Sequence, residues 1–216
     1  EREKKDYFDP SVELFRKAIK DFIPNCKDVY YYQDPAQVFD ELFIVFNDGS
    51  RKPISSLSDG YRNLLWLVGD MAYRCATLNP FLGMEAVEKA RGVVLIDEVD
   101  LHLHPKWQRE ILPRLTAYFP GIQFVVTTHS PLVIGSTQSN FILLKENNEV
   151  QTFKGPYGRD VTAILLDVMG VEGERPKEIL DLISDCGQAI DNGDSEKARE
   201  KLEQLTEIVG TKDEAV

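Results

Sequence analysis

Apolar positions change their spacing several times along the chain, and each change marks an element. Val12, Phe15, Ile19 and Phe22 recur at helical spacing behind Asp9-Pro10, a capping residue followed by proline at the first helical position. That pattern predicts an amphipathic helix over 10–23. The charged run EREKKDY ahead of it also reads as helical, and it opens without an initiator Met, as though a further segment precedes it. Val29 to Tyr32 and Leu42 to Phe46 are rich in β-branched and aromatic residues and predict strands. Asn47-Asp48-Gly49 then supplies a turn before a short return strand around Lys52 to Ile54. After the polar break Ser55 to Gly60 comes a long helix from about Tyr61 to Thr77, stopped by Asn79-Pro80, and a short one near Glu85 to Lys89.

The middle of the chain is organised by GVVLIDEVDLHLHP, Gly92 to Pro105. Val93, Val94, Leu95 and Ile96 run without alternation into Asp97 and Glu98, which predicts a strand buried on both faces of a parallel sheet. Charge at its carboxyl end lies where open α/β sheets place their ligands. Pro105 opens a helix to about Phe119 with Trp107, Ile111, Leu112 and Leu115 on its apolar side, and Pro120-Gly121 turns into a second buried strand, Ile122 to Thr127. Strand, helix, strand at this spacing is a right-handed βαβ unit. Thr128-His129-Ser130-Pro131 leads into a helical turn, and Phe141 to Leu144 with Val150 to Phe153 predict a hairpin across Asn147-Asn148.

From Asp160 the spacing is helical only. Val161, Ile164, Leu165 and Val168 form one stripe, Ile179, Leu182, Ile183, Cys186 and Ile190 a second, and Ala198, Leu202, Leu205 and Ile208 a third. Asn192-Gly193-Asp194 joins the last two as an αα-hairpin. The expected organisation is an α/β lobe with parallel core strands over 1–156, followed by a helical extension over 157–216.

Composition narrows the class. A chain of 216 residues, 43% hydrophobic and 28% charged, suits one sizeable soluble domain with an appendage. No apolar run approaches the roughly 20 residues that span a bilayer, and no secretory segment opens the chain, so a cytoplasmic protein without a membrane partner is expected. Cys26, Cys75 and Cys186 are widely spaced and lack a CxxC arrangement, and they read as reduced thiols. A net charge of −11 argues against a broad nucleic-acid surface but leaves a local basic patch open.

Three short stretches carry candidate chemistry, each weak alone. Asp97 and Glu98 end a strand as a metal-holding carboxylate and a general base do in nucleotide hydrolases. Leu57-Ser58-Asp59-Gly60-Tyr61-Arg62 precedes the long helix, where Ser58 or Asp59 caps it and Gly60 leaves room for a phosphate at a positive helix end. His129 leaves the second core strand within reach of the first strand's acids. His102 and His104 also invite a metal-dependent hydrolase reading, with Asp97, Glu98 and Asp100 close enough in sequence to complete a site.

Taken in order, LSDGYR, VVLIDEVD and TTHSP resemble the signature motif, Walker B, D-loop and switch histidine of an ABC-type ATPase head. The fuller spelling LSDGYRNLLWLVGDMAYR, GVVLIDEVDLHLHPKWQ and FPGIQFVVTTHSP is similar to the SMC-related AAA-family ATPases of prokaryotes, which include ATPase subunits of Septu-type and retron-associated anti-phage systems. The resemblance covers residues 40–145 closely. It implies the C-terminal half of a P-loop ATPase head with ATP and Mg²⁺ as ligands. Ser58, Asp59 and Gly60 would meet the nucleotide of another protomer, Asp97 would be the Mg²⁺ aspartate, Glu98 the general base, His129 the switch histidine and Asp100 the D-loop aspartate bridging two sites. The signature departs from LSGGQ at its third and fifth positions and keeps the Ser and the Gly.

No G-x-x-x-x-G-K-[ST] phosphate loop occurs along the chain. The resemblance places that loop in an N-terminal lobe, so this chain alone is expected to be inactive and to need that lobe. It further implies a homodimer or higher oligomer controlling an effector, expected to be a nuclease. The alternative is a slow nucleotide-sensing scaffold that restrains a toxic effector without significant turnover.

Overall fold

The computed structural model describes residues 9–32, 41–144, 149–171 and 175–211, with the side chain of Phe153 excepted. The charged run 1–7 and the Asn147-Asn148 turn lie outside the described residues. Two compact units are present, Glu1–Arg159 and Asp160–Val216.

In the first unit, α1 (Pro10–Phe22) begins where the sequence predicts, with Asp9 accepting the Ser11 N–H at 2.9 Å. It is followed by an antiparallel meander of β1 (Cys26–Tyr32), β2 (Glu41–Phe46) and β3 (Arg51–Pro53). Val29 and Ile44 face each other across β1 and β2 and are fully buried. The long helix is α2 (Asp59–Leu78), and the short α3 (Ala86–Lys89) precedes β4 (Gly92–Ile96). Helix α4 (Pro105–Tyr118) crosses to β5 (Ile122–Val126), after which come α5 (Pro131–Ile134) and the antiparallel pair β6 (Asn140–Leu144) and β7 (Val150–Lys154).

One core joins these elements. Leu14, Ala18, Ile19 and Phe22 form the buried face of α1, which packs on α2 beside Leu65, Val68 and Ala72. A Cβ at Gly69 would lie 2.5 Å from the Phe15 ring, so glycine is what allows the close approach of α1 and α2. The last carbonyls of α1 lack partners within the helix. Arg114 of α4 supplies them, donating to the Asp21 carbonyl at 2.7 Å and the Phe22 carbonyl at 3.2 Å. Ile111, Leu112 and Leu115 of α4, with Phe119 just beyond it, complete the packing.

Strands β4 and β5 pair in parallel from Gly92 opposite Ile122 to Ile96 opposite Val126, as the βαβ spacing requires. Their burial departs from expectation. Val94, Ile96, Ile122, Phe124 and Val126 pack against the core. On the opposite face Val93 is 62% exposed, Leu95 76% and Val125 49%. The apolar run is continuous because both faces of such a strand are built for burial, yet among the described residues helices cover only one.

The second unit holds α6 (Val161–Asp167), α7 (Lys177–Asp191) and α8 (Ser195–Val209). Asp160 caps α6 by accepting the Ala163 N–H at 2.9 Å, and α7 pairs with α8 through the turn Asn192-Gly193-Asp194. Ile164, Ile179, Ala189 and Leu205 are buried, whereas Ile190 and Ile208 of the predicted stripes are exposed. Among the described residues no helix is long and apolar enough to cross a membrane.

Candidate functional site

Parallel pairing sets the carboxyl ends of β4 and β5 side by side, and two hydroxyls tie them together. Thr127, one residue past β5, donates from Oγ1 to Asp97 Oδ1, and the same oxygen accepts the Glu98 N–H at 2.8 Å. The ladder continues through its backbone, with the Thr127 N–H donating to the Ile96 carbonyl at 2.9 Å and the Val99 N–H donating to the Thr127 carbonyl at 3.1 Å. Thr128 Oγ1 donates to Asp100 Oδ1 and accepts the Ser130 N–H at 3.0 Å. Asp97, Glu98, Asp100 and His129 thus stand on two adjoining chain ends, with Asp97, Glu98 and His129 exposed and Asp100 half-buried.

The turn after β4 is tight. Glu98 has φ 49° and His102 φ 60°, both in the left-handed region, and the Leu101 N–H closes on the Glu98 carbonyl at 2.9 Å. Such a conformation costs a side-chain-bearing residue about 1–2 kcal/mol, and it concentrates at functional sites. Buried Val99 and Leu103 anchor the turn in the core. Ser130 braces it from below: it caps α5 by accepting the Leu132 and Val133 N–H groups and donates to Gln108 Oε1 at 2.8 Å, while Gln108 Nε2 donates to the Leu103 carbonyl at 3.0 Å.

Ser58 is the N-cap residue of α2, yet its side chain makes no capping hydrogen bond. Its hydroxyl and the first-turn N–H groups are therefore available to an anion. The Arg62 guanidinium beside Asp59 holds that carboxyl below the usual carboxylate range, so it stays ionised with its charge answered. A groove of about 680 Å³ opens next to Ser58, lined by Phe46, Ser50, Lys52, Ser56 and Tyr61 among others.

Gly60 has a structural reason of its own. A Cβ there would lie 2.4 Å from the His102 carbonyl oxygen, and Asn63 Nδ2 donates to the Leu101 carbonyl at 3.4 Å. The start of α2 therefore rests on the turn that carries Asp100. Because the obstructing atom is backbone, Gly60→Ala is expected to cost about 1–3 kcal/mol, read as a lower urea midpoint at unchanged m-value.

The paired histidines do not assemble a metal centre in the described residues. His104 Nδ1 accepts the Lys106 N–H at 3.2 Å as the cap of α4. No three His, Cys, Asp or Glu side chains among the described residues converge as metal ligands. Asp97 suits a different cation. It is an exposed hard-oxygen donor, and among the described residues only Oδ1 is engaged, which fits Mg²⁺ held by one or two carboxylates plus substrate phosphates. Thr127, Thr128 and Gln108 escaped the sequence reading; two hydroxyl residues closing an apolar strand were the available signal.

Parallel strands ending in acids and hydroxyls, with a helix start seated on the following turn, form an α/β fold that resembles that of SMC ATPase heads. A solved structure described as "Structural biochemistry of ATP-driven dimerization and DNA stimulated activation of SMC ATPases" matches with a TM-score of 0.51 at 13% identity, covering 77% of this chain and 94% of that one, a likeness of fold alone. Residues 5–135 match the family model "AAA domain, putative AbiEii toxin, Type IV TA system", and the chain belongs to that family. It is 34% identical over 208 residues to "Retron Vc95 probable ATPase" of Vibrio cholerae serotype O1 biovar El Tor, across 92% of this chain and 39% of that protein. It is 37% identical over 121 residues to "Septu protein PtuA" of Bacillus mycoides (strain KBAB4), across 56% of this chain and 16% of that protein. The chain thus spans less than half the length of either relative.

Proposed function

We propose that this chain supplies the signature, Walker B and switch-histidine half of an ABC-type head that binds and hydrolyses ATP between two protomers. The observation that carries the reading is the hydroxyl-tied meeting of the β4 and β5 ends, which gathers Asp97, Glu98, Asp100 and His129 at one edge of a parallel sheet. Asp97 would hold Mg²⁺, whose chemistry is to neutralise charge on the transferring phosphoryl group. Glu98 accepts the proton of the attacking water, and His129 orients that water against the γ-phosphate. Ser58, with the α2 N–H groups at Asp59 and Gly60, donates to the γ-phosphate held by the partner. Asp100, on the turn under α2, relays between the two sites.

Among the described residues β4 and β5 leave one face uncovered and carry no further strand at either edge, which supports a further lobe that completes the sheet and brings the phosphate loop. In this reading residues 1–156 are the catalytic lobe and 157–216 its helical extension. The relatives' retron and Septu names support a role in anti-phage defence, with turnover controlling an effector nuclease. Steady-state hydrolysis by the complete protein, with and without that effector, separates an active head from a slow nucleotide-sensing scaffold. For the isolated chain, calorimetric titration with ATP and Mg²⁺ is expected to show no micromolar binding, because no phosphate loop is present to cradle the β- and γ-phosphates. Tight binding by this chain alone contradicts the reading.

A further inference from the structure

Thr127 sits where the two chain ends meet, and its single hydroxyl serves both acids at once. Oγ1 donates to Asp97 Oδ1 and accepts the Glu98 N–H at 2.8 Å. We propose, resting on the assignment of Asp97 and Glu98 above, that Thr127 is the positioning residue of the hydrolytic site, orienting the metal-binding carboxylate and locking the backbone of the general base.

Two features make a hydroxyl necessary at this place. Glu98 lies at φ 49°, where its N–H has turned out of the strand ladder, and the Thr127 oxygen is the acceptor that meets it. Without that acceptor the left-handed turn loses the bond that holds it, and the Glu98 side chain loses its direction. The hydroxyl proton in turn engages Asp97 Oδ1, which stops the carboxylate from rotating and leaves Oδ2 for a cation. A residue at 127 must therefore donate and accept together. Threonine and serine do both, and valine, with nearly the same shape, does neither. Because Thr127 acts here through Asp97 and the Glu98 backbone, its effect is expected at the scale of an outer-shell partner, about 10–100-fold in metal affinity or activity.

The adjacent Thr128 is not redundant with it. Its Oγ1 goes to Asp100 and the Ser130 N–H, so the second hydroxyl serves the turn under α2 and the first serves the site itself.

The test uses the complete protein carrying Thr127→Val, Thr127→Ser or Glu98→Gln, each checked by thermal melting. Mn²⁺ stands in for Mg²⁺ as an electron-paramagnetic probe, titrated in the presence of a non-hydrolysable ATP analogue. Turnover and KM for ATP are measured in parallel. Thr127→Val is expected to weaken Mn²⁺ binding and lower kcat, each by about tenfold or more, with KM for ATP little changed, and Thr127→Ser to restore both to within about threefold of the wild type. Wild-type Mn²⁺ affinity and kcat in Thr127→Val overturn the proposal. So does a folded Thr127→Ser variant that loses about tenfold or more in both readouts, because the hydroxyl is then not what matters; measured against the wild type, this arm decides the matter if Thr127→Val fails to fold. Should Glu98→Gln abolish turnover while Thr127→Val leaves both readouts untouched, the proposal fails and the assignment of the base stands. If Glu98→Gln leaves turnover intact, it is the assignment that fails, and Mn²⁺ affinity alone then judges the Thr127–Asp97 link.

Discussion

Replacing Glu98 by Gln in the complete protein is expected to slow ATP hydrolysis by about 10²–10⁴-fold while leaving ATP binding intact. The amide keeps the shape of the carboxylate but cannot take a proton from water, so general-base assistance is lost. The geometry makes this an unusually clean substitution. What Thr127 holds at position 98 is the backbone N–H, and that bond survives a change of side chain. Gln also keeps an unbranched Cβ, so the left-handed turn at φ 49° is no harder to adopt. Asp97, the proposed metal ligand, is unchanged. Steady-state phosphate release together with equilibrium binding of labelled ATP checks both halves of the expectation, and a fall in turnover of less than about tenfold removes Glu98 from the role of base.

Mixing two inactive variants is expected to restore hydrolysis. If the site is shared, Ser58→Arg blocks the surface offered to a partner's nucleotide, and Glu98→Gln disables the chain's own side. Ser58 can carry that substitution because it is exposed and its side chain makes no bond to the helix it caps. Each homodimer is then silent at both sites. A mixed dimer has one site bearing both lesions and one bearing neither, and random pairing of equal amounts returns roughly a quarter of all sites in a symmetric two-fold assembly. Strict coupling between sites hides that recovery, so nucleotide-dependent dimerisation is followed by light scattering on the same mixture. If neither hydrolysis nor ATP-dependent dimerisation recovers while both variants are folded, the shared-site mechanism is wrong.

Much of this site lies open in the sequence because strand ends and helix starts are local events. Asp9-Pro10 announces α1, Pro105 announces α4, and an apolar run into Asp97-Glu98 marks both a strand and the carboxyl end where the candidate site lies. What stays hidden is set by partners distant in the chain. Gly60 looks like room made for a phosphate, but the demand for glycine comes from the His102 carbonyl, forty-two residues on. Thr127 and Thr128 look like the fading polar end of β5 until the parallel register lays them against Asp97 and Asp100. The exposed face of β4 is hidden for the opposite reason: an apolar run reports the environment a strand is built for, and Val93 and Leu95 have no cover among the described residues.

That bare strip has a colloidal consequence. Val93, Leu95 and Val125 present side-chain grease on a two-stranded sheet whose outer edges also carry no hydrogen-bonded neighbour strand among the described residues. Apolar surface beside unsatisfied strand edges is a template for sticking to another copy of itself. Produced alone, the chain has a reason to clump that involves neither nucleotide nor signature helix, and its large negative charge is the chief force keeping copies apart. Raising the salt screens that repulsion, so shelf life should shorten in the buffers usually chosen to prevent nonspecific adhesion.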